Sequence, residues 1–143
     1  MRISTKGDYG VRALIELSHH FGEDRPMQSA DIAARQRIPE PYLDQLLTTL
    51  RKAGFIRSVR GPQGGHALIR RPEEIRLSEV IRTLEGSLSP VSHLHDEGYQ
   101  CRAAHEVWHT VETATEKILD GVTIGDLAAR ELEYDRNGGR YVI

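Results

Sequence analysis

Apolar side chains recur at helical spacing between Pro41 and Gly54. The positions on this repeating face are all leucines: Leu43, Leu46, Leu47 and Leu50. Proline suits the first turn of a helix, and glycine suits the residue just past its end. The pattern therefore predicts an amphipathic helix. Its outward face carries Tyr42, Asp44, Gln45, Thr48 and Thr49.

Two further helical patterns precede this helix. The first is an apolar stripe that predicts a helix over residues 5–21, capped by Ser4 or Thr5. The stripe consists of Tyr9, Ala13, Leu14, Leu17 and Phe21. The second covers residues 30–36, with Ser29 as its expected cap. Since a tight turn at residues 37–39 joins it to the amphipathic helix, the pair is typical of a helix-turn-helix.

A β-hairpin is predicted directly after the helix-turn-helix. Two β-prone runs, residues 55–60 and 66–69, flank a loop that holds one proline and three glycines. A helix-turn-helix followed by such a hairpin is the layout of a winged helix. In that fold the second helix of the pair enters the major groove of DNA, and the tip of the hairpin reaches a neighbouring groove.

The second half of the chain predicts helices of a different kind. Ser78 is expected to cap a helix over residues 79–85 that Gly86 ends, and residues 87–100 read as a loop. Apolar or small side chains then recur in steps of four and three, which is a heptad seam ending near Gly121. The seam is Ala104, Trp108, Val111, Thr115, Ile118 and Val122. Thr123 and Asp126 form a capping box for a last helix, and the residues from Asp135 onward read as a loose tail.

The heptad seam has two interpretations. It belongs either to one more helix of the core or to a helix that pairs with its copy in a second chain. Because the apolar pattern of the first domain is complete at residue 85, we expect a helix that pairs with its copy in a second chain. The predicted fold class is mainly α with a small β-hairpin. It consists of a winged helix-turn-helix domain (1–86), a sensor or ligand loop (87–104), and a dimerisation helix with a C-terminal helix (105–143).

The distribution of charge supports contact with nucleic acid. Six of the 19 basic residues lie between Arg51 and Arg71, a stretch without any acidic residue. That leaves 13 basic residues against 21 acidic residues in the rest of the chain. Positive charge gathered on one hairpin of an otherwise acidic protein is typical of a local phosphate contact. Ordinary solvated surface arginines are the alternative.

Length and composition exclude several classes of protein. The 143 residues suffice for one domain, or for one domain with a helical arm. We expect no membrane span and no signal peptide, since no apolar run is long enough. One cysteine excludes an intrachain disulfide framework and predicts a cytoplasmic protein.

Several stretches resemble the Rrf-type bacterial transcriptional regulators, the group of IscR, NsrR and CymR. The similar segments are MRISTKGDYG (1–10), PYLDQLL (41–47), LRKAGFIRSVRGPQGG (50–65), IRLSEVIRTLEG (75–86), Trp108 and VTIGDL (122–127). They extend over nearly the whole chain. The resemblance implies a dimeric winged-helix transcription factor that binds a palindromic operator in double-stranded DNA, often with an iron–sulfur cluster near the dimer axis.

The resemblance also implies which residues contact DNA. They are Arg2 at the N-terminus, Tyr42 and Gln45 on the recognition helix, and Ser58, Arg60, Gly61 and Pro62 at the wing. Arg51, from the basic stretch, completes the predicted set. Glutamine can bind an adenine edge with two hydrogen bonds, and arginine suits guanine or a narrow minor groove. Tyr42 has the alternative role of an aromatic residue that packs between helices.

The loop before the long helix is where cluster-binding members of this family keep three cysteines. This chain has only Cys101, and the usual interval of five intervening residues leads back to His95 and Ser89. The nearby candidates for metal ligands are His93, His95, Glu97 and His105. The resemblance adds Asp8, since in some members a carboxylate on the first helix of the partner chain completes the coordination. Such ligands could hold a 2Fe–2S cluster or Zn²⁺, or the metal centre is absent, as in the CymR type.

The sequence leaves four functions open. The first is a dimeric DNA-binding regulator that senses redox or iron–sulfur status through a metal centre. The second is a regulator of the same family without a cluster, which responds to a partner protein or a small molecule. A small metalloenzyme belongs to a different class, but no HExxH helix or phosphate-binding loop is present, and we expect a non-enzyme. A winged helix that binds protein instead of DNA is a further alternative.

Overall fold

The computed structural model describes residues 2–138, and these form six α-helices and one antiparallel hairpin. The elements in chain order are α1 (Thr5–Ser18), α2 (Ser29–Gln36), α3 (Glu40–Lys52), β1 (Ile56–Val59), β2 (Gly65–Leu68), α4 (Leu77–Glu85), α5 (Arg102–Asp120) and α6 (Ile124–Arg136). A short 3₁₀ turn, Pro72–Glu74, precedes α4. The predicted fold class is confirmed.

The helix-turn-helix consists of α2 and α3. Its turn contains Arg37, the one non-glycine residue with a left-handed backbone among those described, at φ 52°. Pro41 lies in the first turn of α3, and Gly54 follows its end at φ +85°, a conformation that favours glycine. All four predicted leucines of α3 are buried, so its opposite face is free to contact a partner.

The hairpin forms a wing that is joined to the start of α2. Its register pairs Ile56 with Leu68 and Val59 with Gly65. The backbone of His66 also exchanges two hydrogen bonds with the backbone of Met27, at 2.9 and 2.7 Å. This additional bridge fixes the base of the wing to the segment that leads into the helix-turn-helix.

The main core includes a residue from the C-terminal helix. Leu14, Leu43 and Leu50 are fully buried at its centre, and Ile124 of α6 is fully buried in the same cluster. The expectation that the core is complete at residue 85 is therefore wrong. Apolar periodicity of the first domain did not reveal that α6 returns to pack against α1.

Three predicted helix starts and ends differ from the structure. The first helix stops at Ser18, so Phe21 lies in a turn and is 41% exposed. Ser29 is the first residue of α2 and its hydroxyl bonds to His66 instead of capping the helix. Ser78 is buried inside α4, and the backbone N–H of Arg76 bonds to Glu79 at the true start. Polar side chains near a helix start have other partners available, and tertiary contacts decide among them.

Both ends of α5 connect to the rest of the domain. Before the helix, Leu88 and Leu94 anchor the loop of residues 87–101 by burial. After it, the N–H of Leu77 donates to the carbonyl of Val122, and the N–H of Ile124 donates to the carbonyl of Ile75. Gly121 ends α5 and the box of Thr123 and Asp126 starts α6, as predicted.

The remaining sequence expectations concern the tail and the membrane. The prediction of a loose tail from Asp135 is wrong for its first two residues, which belong to the regular helix α6. Residues 137 and 138 form a turn, and residues 139–143 lie outside the described residues. Within residues 2–138 no helix is both long and apolar enough to cross a bilayer.

Candidate nucleic-acid interface

The outward face of α3 presents polar and aromatic side chains. Gln45 and Thr48 are exposed, and Tyr42 is 38% exposed. The hydroxyls of Thr48 and Thr49 donate to the carbonyls four residues earlier, so both lie along the helix instead of projecting from it. Tyr42 and Gln45, the residues of α3 that are predicted to contact DNA, are both exposed on this face.

A lysine from α1 lies beside this face. Lys6, Tyr42, Gln45, Leu46 and Thr49 line one small cleft of about 140 Å³. The exposed ammonium group of Lys6 supplies positive charge of the kind that contacts phosphates, beside the predicted contact residue Gln45. The sequence analysis did not select Lys6, because the spacing along the chain does not show that α1 runs beside the outward face of α3.

Arg2 has a different environment from the other predicted DNA contacts. It lines a cleft of about 230 Å³ together with Ile81, Glu85 and Ser87. The neighbouring Ser4 is held there, since its N–H and its hydroxyl both donate to the Glu85 carboxylate, at 2.9 and 2.6 Å. The structure thus places Arg2 near the end of α4 and brings Lys6, not Arg2, to Tyr42 and Gln45.

The tip of the wing is exposed and held by side chains from the segment before α2. Arg60, Gly61 and Pro62 are all exposed, and Gly61 has φ +103° in the turn. The amide of Gln28 donates to the carbonyl of Pro62 at 3.1 Å, and Arg25 donates to Gln63 at 2.8 Å. Three of the four predicted contact residues of the wing therefore lie at one supported tip, and the fourth, Ser58, lies in β1. Arg51 is exposed at the end of α3.

His66 is a partly buried imidazole between the wing and the helix-turn-helix. Its Nε2 is 3.0 Å from the Ser29 hydroxyl, and its Nδ1 is 2.8 Å from the Ser58 hydroxyl. Burial lowers the pKa of His66 below its usual value, with Arg51 acting in the same direction and Asp44 opposing it. The sequence analysis assigned no role to this histidine, although it orients Ser58, a predicted DNA contact.

The loop before α5 and the first turns of α5 form a cluster of aromatic rings. His93 stacks on Tyr99, Tyr99 contacts His105, and His105 stacks on His109, with centroids 5.3–6.3 Å apart. The His95 ring contacts His109, and its Nε2 lies 2.9 Å from the Glu112 carboxylate. Sequence reasoning selected His93, His95 and His105. It missed His109 and Glu112, which follow His105 at helical spacing.

The predicted metal ligands do not converge within one chain. Among residues 2–138 no group of three or more histidine, cysteine, aspartate or glutamate side chains is arranged to hold a metal ion. Cys101 is exposed just before α5, and Asp8 forms an ion pair with Arg12 at 3.2 Å. One thiol, with His95 bonded to a carboxylate, does not fit the donor set of a 2Fe–2S cluster.

Comparison with protein families gives a match over most of the chain. The family model described as "Rrf2: Iron-dependent Transcriptional regulator" matches residues 3–130. The transcriptional regulator CymR of Bacillus subtilis (strain 168) is 42% identical over 129 residues, which cover 90% of this chain and 91% of that protein. The regulator IscR of Aliivibrio salmonicida (strain LFI1238) is 36% identical over 130 residues, covering 89% and 77%.

Solved structures agree with these sequence matches. The structure of CymR (YrzC), the global cysteine regulator of B. subtilis, superimposes with a TM-score of 0.79 at 41% identity, covering 91% of this chain and 98% of that one. The structure of T. potens IscR gives a TM-score of 0.75 at 38% identity, covering 100% and 93%. The named relatives are regulators and not enzymes, in agreement with the non-enzyme expectation.

Proposed function

Because this chain belongs to the Rrf2 family of transcriptional regulators, we propose that it acts in the cytoplasm as a homodimer on a palindromic operator. In this proposal α3 enters the major groove and the wing reaches the adjacent groove. Residues 1–86 form the DNA-binding domain, and residues 87–101, which precede α5, form a ligand loop in place of the predicted 87–104. Residues 102–143 supply the dimerisation helix and a helix that returns to the core.

The DNA-binding role is supported by the exposed side chains that α3 and the tip of the wing present. The leucine face of α3 is buried, and the opposite face presents Tyr42 and Gln45 beside Lys6. Gln45 has the donor and acceptor needed for an adenine edge, while Lys6 supplies charge for the adjoining phosphate. The exposed Arg60 at the wing tip suits a narrow minor groove, where the negative potential is strongest.

The exposed apolar stripe of α5 supports the dimer. Val107 is 54% exposed and Ile118 is 69% exposed, and Trp108 and Val111 lie on the same side of the helix. A different side of α5 faces the domain, where Glu116 pairs with Arg82 at 3.1 Å and Glu112 bonds to His95. A stripe of large apolar side chains along a helix is typical of an interaction surface. A second copy placed on it gives two recognition helices related by a two-fold axis.

The donor geometry favours the regulator without a cluster. Within the described part of one chain, the candidate ligands are engaged with other groups: Asp8 with Arg12, and His95 with Glu112. A centre formed by Cys101, His93, His95, His105 and the partner's Asp8 would require those contacts to be exchanged on assembly. The signal in this proposal is therefore a partner protein or a small molecule, and redox sensing by a 2Fe–2S cluster is the alternative that metal analysis tests.

Selection of duplexes from a random library tests the proposed function directly. We expect recovery of a two-fold symmetric sequence that binds one dimer, and we expect Gln45→Ala to weaken binding to it by about 1–3 kcal/mol. Arg136→Ala, on the exposed surface of α6, is the matched control and should leave binding unchanged. Failure to enrich any sequence at low salt, with the fold intact, would contradict the proposal.

A further inference from the structure

A polar cleft separates the wing from the start of α2. Its volume is about 450 Å³, and its lining includes Gln28, Ser29, Glu40, Gly61, Pro62 and His66. Gly61 and Pro62 also belong to the predicted DNA-contacting set, so the cleft is continuous with the wing tip. His66 and Ser29 form what we call the floor of the cleft, with the imidazole Nε2 3.0 Å from the Ser29 hydroxyl. None of the roles described above uses this floor.

We propose that this cleft binds a backbone phosphate of DNA, and that protonation of His66 strengthens the contact. The inference rests on the proposed function and extends it in one respect: it makes the affinity for DNA depend on pH through a single imidazole. The ligand is a phosphodiester oxygen, and the recognising groups are hydroxyls, the imidazole and backbone N–H groups.

Counting hydrogen-bond donors shows how protonation acts. A neutral imidazole has one N–H and one acceptor nitrogen, so it donates to one serine hydroxyl and accepts the proton of the other. A protonated imidazole donates from both nitrogens, and neither serine then has to donate to the ring. When Nε2 is the acceptor in the neutral ring, protonation frees the hydroxyl proton of Ser29, which lines the cleft, for a phosphate oxygen. It also adds one positive charge at the floor of the cleft.

The neighbouring charges act on the site in opposite directions. Three charged groups face or line the site: Asp44 and Arg51 from the recognition helix, which act on the imidazole in opposite directions, and Glu40, a carboxylate on the lining. Burial lowers the pKa of His66, which favours the neutral ring in the free protein. A phosphate beside the ring favours the charged form, and binding and protonation therefore reinforce each other.

The backbone around the cleft adds fixed donors. Ser29 and Ala30, both on the lining, are the first residues of α2, and the first N–H groups of a helix have no partner within that helix. The two backbone bonds between Met27 and His66 keep the wing at a constant distance from this helix start. The hydroxyls and N–H groups are thus held in place before DNA arrives.

The variant His66→Gln tests the proposal. The glutamine amide can donate to one serine and accept from the other, but it does not titrate. The measurement is the dissociation constant of a selected operator duplex between about pH 8 and about pH 5 at fixed ionic strength. We expect wild-type affinity to increase roughly fivefold on acidification, as for a modestly coupled pair of sites, and that of His66→Gln to increase much less. His19→Gln, at a histidine bonded to the Ala128 carbonyl, is the control and should retain the wild-type profile.

The dependence on salt separates a phosphate contact from a structural role. One additional phosphate contact makes the slope of log K against log salt steeper by about 0.9. We expect this increase at acidic pH in the wild type and not in His66→Gln. If His66→Gln does not fold, the imidazole of the wild type can be followed by NMR, and its pKa must rise when the duplex binds.

Two failures are distinguishable. Wild-type protein that binds no duplex at any pH contradicts the proposed function and, with it, the inference. Wild-type protein that binds DNA with the same pH profile and salt slope as His66→Gln leaves the proposed function intact and overturns the role of His66. An unchanged imidazole pKa on binding has the same consequence.

Discussion

The ring of Tyr42 on α3 meets the ring of Tyr9 on α1 edge to face, with centroids 5.6 Å apart and an angle of 85° between the planes. The guanidinium of Arg12 lies over the Tyr9 ring at 5.0 Å and also pairs with Asp8. The sequence left two roles open for Tyr42, a DNA contact or a packing aromatic. Its contact with Tyr9 establishes the packing, and its partial exposure leaves the hydroxyl able to reach a ligand.

The two roles of Tyr42 can be measured separately. Tyr42→Phe keeps the ring and should leave the melting temperature unchanged, while DNA affinity falls by about 0.5–1.5 kcal/mol through loss of one hydrogen bond. Tyr42→Ala also removes the edge-to-face contact and should lower both affinity and stability. Thermal unfolding and titration of an operator duplex provide the two readings. Wild-type affinity in Tyr42→Phe would leave Tyr42 with packing alone.

The wing arginine is expected to read DNA. Arg60→Ala should lower specific affinity by about 1–3 kcal/mol, because an arginine in a groove combines charge with directed hydrogen bonds. Fluorescence anisotropy with a selected duplex measures the effect. Arg136→Ala removes the same charge from α6 and should have little effect. Equal affinity of Arg60→Ala and wild type, with equal melting temperatures, would exclude this role.

Charged side chains placed in the apolar stripe of α5 test whether this helix forms the dimer. Replacing both Val111 and Ile118 with glutamate should give monomers, since carboxylates cannot be buried unpaired in such an interface. Both side chains are exposed in the single chain, so the fold of the domain should persist. Sedimentation and circular dichroism measure the two properties. A wild type that is already monomeric at micromolar concentration would show that the stripe has another function.

We expect Glu79 to make the free energy of unfolding depend on pH in the acidic range. Hydrogen bonding from Arg70 is the main cause that lowers the pKa of Glu79 below 4.5, with a further hydrogen bond from the Arg76 backbone. A carboxyl group with a lowered pKa contributes stability above its unfolded pKa and loses it as pH falls through the folded value. Urea unfolding between about pH 6 and about pH 3 should therefore show a smaller acid loss in Glu79→Gln than in wild type. The exposed Glu133 serves as the control, and Glu133→Gln should lose as much stability between these pH values as the wild type does.

Iron and sulfide analysis distinguishes the two kinds of regulator. Since no three donors converge in the described chain, we expect protein reconstituted without oxygen to hold no stoichiometric cluster and to bind DNA like untreated protein. Cys101→Ala is the matched variant and should behave identically. Two irons and two sulfides per chain in the wild type, as a 2Fe–2S cluster requires, would contradict this expectation if Cys101→Ala lost them. They would restore the predicted centre of Cys101, histidines and the partner's Asp8.

The helices and the wing could be predicted because their cause is local. Four leucines at helical spacing, a proline in the first turn and a glycine past the end are sufficient to define α3. The capping box of Thr123 and Asp126 defines the start of α6 in the same way. Each of these patterns depends on residues that are close together along the chain.

The parts that the sequence did not reveal depend on distant residues. Lys6 lies beside Gln45 only because α1 packs along α3, and His66 joins Ser29 to Ser58 only because the wing folds back on α2. Ile124 is buried in the core, although the helix that precedes it, α5, has no buried residue. Ser78 was misread because its burial inside α4 is decided by packing, whereas the capping rule considers only neighbouring residues.

The attachment of α5 at both ends has a mechanical consequence for the proposed dimer. The helix has 19 residues, so it is a rod of about 28 Å at 1.5 Å per residue. The hydrogen bonds after this helix and the buried leucines before it join both of its ends to the DNA-binding domain of the same chain. Tilting such a rod by about 10° moves its far end by about 5 Å, which is more than the 3.4 Å rise of one base pair. A ligand that changes the crossing angle of the two rods by this small amount would put the two recognition helices out of phase with the half-sites.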